Sequence, residues 1–550
     1  MIRSIKFQSV SNQGAMEYDP ISKVFTKDDV KLVFNRNGLG CAFFEALKLH
    51  QSKLAQIDID TGEREMYSEI LEKSIKTAQK LMEVGLKPND IVSFCSENNL
   101  DVIVPYIATL FVGGIIGCLD PSLSQEDCEH LLNDVRPKFV FISESSEQKI
   151  TAALENTGNG ARIVVFGRSV GNLQSFESFW KSASDVQGFE PCAKNEKDTA
   201  IIFFSSGTTG LPKGICANHS ALIHQSNTYL GFANTKVTLS FATVYWISSA
   251  LLIIKCILKG ECRAICKEFN AIAVWKSIEK HRITCMLPSP ILGIKLIETK
   301  VDCDVSSLEN IPFGGSTMSM ENLLKLKETF PKATVTFMYG QSEVGIMCYF
   351  DPRIREHVEL SKKYPNSVGS PACGYSVKVV DPDTGHVLGP NQIGEMRVQT
   401  VHRMNGYHNR DCSDVYDEDG YIKTGDMCYY NEDLCFFVVD RVKEMFKYQG
   451  WHITPTKLES IMLQHPKVRS AVVIGIPHPR DENHAMAVCI LKDGEMVSAE
   501  ELKEFVNSKV EDRWMLRGGV KLVKELPYTP TGKIRRIELK RTILDEMNAI

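Results

Sequence analysis

Short apolar runs alternate with longer amphipathic stretches along much of the chain: Ile91-Val-Ser-Phe-Cys95, then the segment from Asp101, then Phe139-Val-Phe-Ile-Ser143. Apolar runs without polar alternation predict strands buried on both faces, and the amphipathic spacers predict helices that cross between them. Together they describe a parallel sheet with helices on its faces. From Val102 to Leu119 the chain carries no charge over 18 residues, which just reaches the usual length of a membrane span. Pro105, Thr109 and the pair Gly113-Gly114 interrupt this segment, and Asp101 and Asp120 flank it. It is predicted as a buried helix that breaks at the glycines into a strand, Ile115-Ile-Gly-Cys-Leu119, and no transmembrane segment is expected.

The texture changes twice further on. Residues 160–200 are rich in Ser, Gly and Asn and mark a subdomain boundary. From Val368 to Tyr430 short alternating runs are separated by turn sequences such as Asp381-Pro-Asp-Thr-Gly385 and Glu418-Asp-Gly420, the spacing of a small antiparallel β unit. After Asp440 the chain restarts as an α+β piece with strand-like Ser470-Ala-Val-Val-Ile-Gly475 and a helix over Ser498 to Val510.

At 550 residues the chain is long enough for several domain-sized units. Hydrophobic residues make up 43% and charged residues 24%, so disorder is not the default. The net charge of -5 and the scattered Lys and Arg residues exclude a nucleic-acid footprint. The 17 cysteines form no C-x-x-C pair, and Cys262-x-x-x-Cys266 near His281 has poor spacing for a metal. A reduced protein with buried thiols fits better than a disulfide framework. Met1-Ile-Arg-Ser-Ile-Lys-Phe-Gln has no apolar core for a secretory signal, and Met547-Asn-Ala-Ile550 is not an S-K-L address, so a cytoplasmic protein is expected. A monomer or weak homodimer is expected.

The candidate chemistry centres on Ser205-Ser-Gly-Thr-Thr-Gly-Leu-Pro-Lys-Gly214, small and hydroxyl-bearing residues around one lysine, directly after the strand-like Ala200-Ile-Ile-Phe-Phe204. Backbone N–H groups, hydroxyls and Lys213 in such a loop can surround a polyphosphate. It is not a Walker A loop, because counting from Gly207 puts Pro212 at the second Gly and Gly214 at the Ser/Thr position. Five further segments follow: Phe313-Gly-Gly-Ser316, Met338-Tyr-Gly-Gln-Ser-Glu343, Tyr421-Ile-Lys-Thr-Gly-Asp426, Val439-Asp-Arg-Val-Lys-Glu444 and Pro530-Thr-Gly-Lys533.

In content, order and spacing these motifs resemble the adenylate-forming superfamily, which includes acyl-CoA synthetases, 4-coumarate:CoA ligases and beetle luciferases. The resemblance implies an α/β fold: a large N-terminal domain, residues 1–439, of two α/β subdomains plus a small β-barrel at about 368–438, then a mobile α+β C-terminal domain, 440–550, hinged at Asp440. It implies that Thr208, Thr209 and Lys213 hold the β- and γ-phosphates of ATP and the departing pyrophosphate, with Ser205 also in the nucleotide site. Tyr339 and the Gly314-Gly315 strip would flank the adenine, Ser316 and Gly340 would also belong to the nucleotide site, Ser342 and Glu343 would meet the α-phosphate and Mg2+, and Asp426 with Arg441 would hold the ribose. Lys533 would bridge carboxylate and α-phosphate during adenylation, and Lys447, on the opposite face of the C-terminal domain, would serve the second half-reaction with CoA.

Two departures from the family stand out. Trp246, in Thr243-Val-Tyr-Trp-Ile-Ser-Ser249, occupies a position where many relatives carry His, and an indole only donates. An acyl pocket that includes Tyr245, Trp246 and Ser248 is therefore reshaped. Lys457 stands where the family often has Glu, a change expected to be neutral. The leading expectation is an ATP-dependent ligase that joins a fatty or aromatic acid to CoA; the alternative is a luciferase-type monooxygenase that uses O2.

Overall fold

The computed structural model describes residues 16–29, 34–168, 171–183, 188–204, 212–229, 236–315, 318, 320–528 and 534–548. Two large sheets carry the N-terminal domain. In the first, the strands Thr199–Phe204, Ile115–Leu119, Ile91–Cys95, Phe139–Ser143 and Arg162–Phe166 lie side by side in parallel. In the second, Leu54–Asp58, Cys262–Ile265, Val237–Ser240, Cys285–Leu287, Asn310–Phe313 and Thr334–Gln341 do the same. Helix Gly38–His50 packs against helices Tyr67–Glu83, Ile103–Val112, His219–Tyr229 and Ile247–Lys259. One continuous apolar core runs through both sheets and these helices.

The uncharged segment folds as its composition predicts. Helix Ile103–Val112 is buried all round, and Gly113, at φ 78°, ends it in the left-handed conformation with its N–H turned back to Thr109 and Leu110. The chain then enters strand Ile115–Leu119 in the middle of the sheet. Among the described residues no helix is long and apolar enough to cross a membrane.

The small β unit is a six-stranded sheet of Met16–Asp19, Val24–Lys27, Tyr375–Val380, Gly394–Thr400, Ile422–Tyr430 and Phe436–Arg441. Val24–Lys27 and Phe436–Arg441 are four strand steps apart, about 19 Å in a flat sheet. Yet the rings of Phe25 and Phe436 lie 4.9 Å apart, so the sheet curls around its own core into the expected barrel-like form. The hairpin Met16–Lys27 joins it from outside the predicted 368–438 unit, because its partners lie some 350 residues later and local pattern cannot register that pairing.

The C-terminal domain has a sheet of its own, with Val468–His478 and Glu482–Leu491 as its central hairpin, and apolar clusters separate from the main core. Its predicted helix is Ala499–Asn507, and Ser498 caps it by accepting the Glu501 N–H at 3.1 Å.

Candidate functional site

The phosphate-loop motif lies between two strands that pair with each other. Strand Thr199–Phe204 pairs antiparallel with Gly214–Asn218, Phe204 opposite Gly214. Ser205, Thr208 and Thr209 lie outside the described residues. Lys213 is described, and its ammonium sits 5.1 Å from the centre of the Tyr407 ring. Tyr407 arrives there because the two-residue strand Gly406–Tyr407 pairs with the far edge of Gly214–Asn218, Ile215 opposite Tyr407. The Tyr407 hydroxyl donates to Glu343 Oε1 at 3.1 Å. One phenol thus joins Lys213 to Glu343, and burial together with the adjacent Glu343 carboxylate pushes that phenol's pKa up, so it stays a donor.

Ser342 and Glu343 occupy the turn between strands Thr334–Gln341 and Gly345–Tyr349. The turn is closed by glycine: a Cβ on Gly340 would lie 2.5 Å from the Gly345 carbonyl oxygen, so no larger residue passes. Met404 N–H donates to the Glu343 backbone oxygen at 2.8 Å and fixes the turn against the Tyr407 segment. The second carboxylate oxygen of Glu343 meets no donor among the described residues, which suits a hard cation. Gly314 and Gly315 follow the end of strand Asn310–Phe313, beside Thr334–Gln341. Ser316 is outside the described residues.

Asp426 is the hub of the other side. Its Oδ2 accepts the Tyr339 hydroxyl at 2.5 Å and the Gln341 amide at 2.6 Å, and its Oδ1 lies 2.9 Å from Arg441 Nε. Gln341 also donates to the Thr424 carbonyl at 2.8 Å. Burial, then the Asp426 charge, raises the Tyr339 phenol well above its ordinary pKa, so it too remains a donor. A carboxylate offers about four acceptor positions, and three are filled from within the protein.

The segment expected to shape the acyl pocket is tied across both sheets. Thr243 Oγ1, just after strand Val237–Ser240 of the second sheet, donates to Asp120 Oδ2 at 2.8 Å, at the end of a strand of the first. Tyr245 is buried, stacks on Phe204 at 6.5 Å and receives the edge of Trp246 at 5.0 Å. Phe204 is the last residue before the phosphate loop, so Trp246 is linked to that loop through two rings. Trp246 and Ser248 are half-buried at the start of helix Ile247–Lys259.

The expected hinge residue, Asp440, lies inside strand Phe436–Arg441, opposite Met427 and one residue from Arg441. Its carboxylate accepts N–H groups of Arg441 at 2.8 Å and Thr456 at 3.2 Å. Lys533 is outside the described residues. The nearby basic residues do not form a solvated face throughout: Arg536 is held by Glu459 at both of its terminal nitrogens and by Glu444 through Nε at 2.9 Å. Burial works against that cation, and Glu459 and Glu444 outweigh it. Lys447 is not brought to Glu343 or Asp426; its Nζ lies 3.3 Å from Asp383, in a turn of the small β unit. Lys457 covers the face of Trp514 at 4.0 Å, a contact that a Glu there would not make.

Tyr407, Gln341, Asp383 and Arg536 were not singled out from sequence. Gln341 lay inside a recognised motif, but Tyr407 and Asp383 reach their partners only through pairings distant in sequence.

Two α/β sheets, a curled β unit and a separate C-terminal domain around these motifs define the class of adenylate-forming enzymes. The chain belongs to the AMP-binding enzyme family: the family profile matches residues 43–408, and that of the AMP-binding enzyme C-terminal domain matches residues 457–533. Luciferin 4-monooxygenase of Photuris pensylvanica is 29% identical over 89% of this chain and 91% of its own length. Peroxisomal OPC-8:0-CoA ligase 1 of Arabidopsis thaliana is 28% identical over 90% and 92%. The solved luciferase-like enzyme of the nonluminescent mealworm Zophobas morio is 34% identical, with a TM-score of 0.73 over 76% of this chain and 99% of that one.

Proposed function

We propose that this protein is an ATP-dependent carboxylic acid:CoA ligase acting on a fatty or aromatic acid. The observation that carries the reading is the joining of Lys213 through Tyr407 to Glu343, two residues beyond the strand whose Tyr339 and Gln341 hold Asp426, which brings groups from distant parts of the chain together. A carboxylate is a poor electrophile because its charge is delocalised and its oxygen is a bad leaving group. In the first step a carboxylate oxygen attacks the α-phosphorus of ATP and pyrophosphate departs; in the second the CoA thiolate attacks the acyl carbon and AMP departs. The first step brings anions together, so cations aimed at the developing charge carry it, here Lys213 and, by family resemblance, Lys533. Magnesium would be held by Glu343 with phosphate oxygens, and supplies charge neutralisation there.

Asp426 has one acceptor position left among the described contacts, which a ribose hydroxyl would fill without disturbing Tyr339 or Gln341. Lys447 would serve the second step after the C-terminal domain turns about Asp440. The 17 cysteines, none of them in a disulfide, support a reducing, cytoplasmic setting.

The test is to incubate purified protein with ATP, magnesium, CoA and a broad panel of acids, and to follow AMP release and acyl-CoA mass. A CoA-dependent thioester is expected; no AMP release and no ATP–pyrophosphate exchange with any acid would sink the reading. A luciferase-type reaction, adenylation of a luciferin followed by oxidation with O2, is the second reading, favoured by the similarity to luciferin 4-monooxygenases. The 34% identity to a luciferase-like enzyme from a nonluminescent insect supports putting the ligase first. ATP-dependent light from protein mixed with tissue extract would reverse that order.

A further inference from the structure

Two places in the described residues bring two imidazoles and a carboxylate together, and they differ in a way that separates a brace from a binding site. At Asp29 each histidine has a carboxylate oxygen of its own, His224 Nε2 at 2.6 Å from Oδ1 and His402 Nε2 at 2.9 Å from Oδ2, and both rings are buried. Those nitrogens are thus paired one to one with the carboxylate. On the C-terminal domain, His478-Pro-Arg-Asp481-Glu-Asn-His484 does the opposite: both imidazoles converge on a single oxygen, Asp481 Oδ2, at 3.3 Å from His478 Nδ1 and 2.8 Å from His484 Nε2.

The convergence is built by the hairpin. Ile476 pairs with His484 and His478 with Glu482, so the two histidines are diagonal neighbours on one face, and their rings stack at 3.8 Å with an interplanar angle of 18°. The other carboxylate oxygen is already taken, Oδ1 accepting the Gln449 amide at 2.7 Å, which leaves Oδ2 facing the two rings. His478 Nδ1 is also 3.2 Å from the Asp481 backbone N–H, a weak contact that a stronger ligand interaction replaces. All three side chains are partly open to solvent, so an ion can reach them.

We propose that His478, Asp481 and His484 form a site for one divalent d-block cation of the zinc class. Two imidazole nitrogens and one carboxylate oxygen, with further positions open to water, are the donor set such ions favour over magnesium or calcium. Gln449 is the outer partner that orients the carboxylate. The site also ties the hairpin turn to the segment that carries Lys447. Gln449 N–H donates to the Asp481 carbonyl at 3.1 Å, Gly450 N–H to Glu482 at 2.8 Å, and the Asn483 amide to the Lys447 carbonyl at 3.0 Å. A bound cation therefore stiffens residues 447–450. The cation site does not depend on the ligase reading, since its test uses no substrate.

The metal-free full-length protein is titrated with Co2+, followed by its visible absorption, with Zn2+ as competitor. One equivalent is expected to bind saturably. His478→Ala and His484→Ala each weaken binding at least about tenfold, and Gln449→Ala weakens it by about tenfold as an outer-shell change. His386→Ala, an exposed histidine elsewhere, leaves it unchanged. Amide exchange across residues 447–450 is expected to slow when Zn2+ is added to the wild type and not to the double histidine variant. Failure to bind one equivalent, or equal binding by that double variant, overturns the site; binding without slowed exchange overturns the link to the Lys447 segment. Unchanged circular dichroism of the variants excludes unfolding as the cause of lost binding.

Discussion

Asp426 and Lys447 are near neighbours in sequence and stand in opposite physical circumstances. Asp426 is buried, and three donors from two distant strands of the chain converge on it. Lys447 is 41% exposed and touches one acidic side chain, Asp383, itself 56% exposed. In a low-dielectric surrounding a satisfied network holds one geometry, because each lost contact leaves a buried group unpaired. A lone exposed ion pair is worth little and breaks easily. On the proposed reading, the difference teaches how one chain could serve two half-reactions: the groups assigned to the nucleotide are fixed in place, while the lysine assigned to the second step is held by a contact weak enough to leave.

The largest expected effect comes from breaking the fixed side. Asp426→Ala removes the acceptor for Tyr339, Gln341 and Arg441 at once, and ATP–pyrophosphate exchange is expected to fall on the order of 100-fold or more, the scale of losing one preorganised electrostatic group. Exchange within twofold of wild type would show that the hub is structural only. Next is Arg536→Met, which leaves the buried Glu459 and the half-buried Glu444 without their cation. A loss of about 3 kcal/mol in the urea unfolding of the C-terminal domain is expected. An unchanged midpoint would mean that the domain is not latched there.

A third measurement probes how rigidly the fixed side is braced. His219 opens the helix that follows the phosphate-loop hairpin, and its Nδ1 accepts the Leu39 N–H at 3.1 Å. Burial, then Lys194, lowers its pKa from 6.5 to about 4. Above about pH 6.5 the ring is neutral whether the chain is folded or not, and there is no effect. Between about pH 6.5 and 4 only the unfolded chain takes up the proton, so stability falls as pH falls, by about 2 kcal/mol at pH 5. His219→Gln should flatten that part of the stability profile; an equal slope in both proteins would place the acid sensitivity elsewhere.

Much of this frame is legible in the sequence where the causes are local. Gly113 ends a helix because it alone adopts φ 78° without strain, and Ser498 starts one because its hydroxyl caps it. The motif residues are legible through family resemblance, down to Asp426 and Arg441 facing each other across two strands. What the sequence hides is partnership at a distance. Nothing near Tyr407 announces that it will stand between Lys213 and Glu343, since a two-residue strand pairing brings it there. Arg536 follows Arg535 in an exposed-looking basic stretch, and only the fold reveals Glu444 and Glu459 around it.

The smallest effect is the most direct test of the movable side. Removing Asp383 deletes one exposed partner of Lys447, and His452 Nε2, 3.7 Å from the same carboxylate, loses a contact as well. Such pairs contribute under about 1 kcal/mol, so Asp383→Ala should leave both the unfolding midpoint and ATP–pyrophosphate exchange unchanged. If departure from Asp383 precedes the second step, thioester formation measured by single-turnover mixing with CoA should rise, by less than about fivefold, because a contact of under 1 kcal/mol can hold back a rate by no more than that. A fall in thioester formation with adenylation intact would reverse the assignment. It would make Asp383 a partner that Lys447 needs in the second step, and the exposed pair a part of the working geometry rather than a resting place.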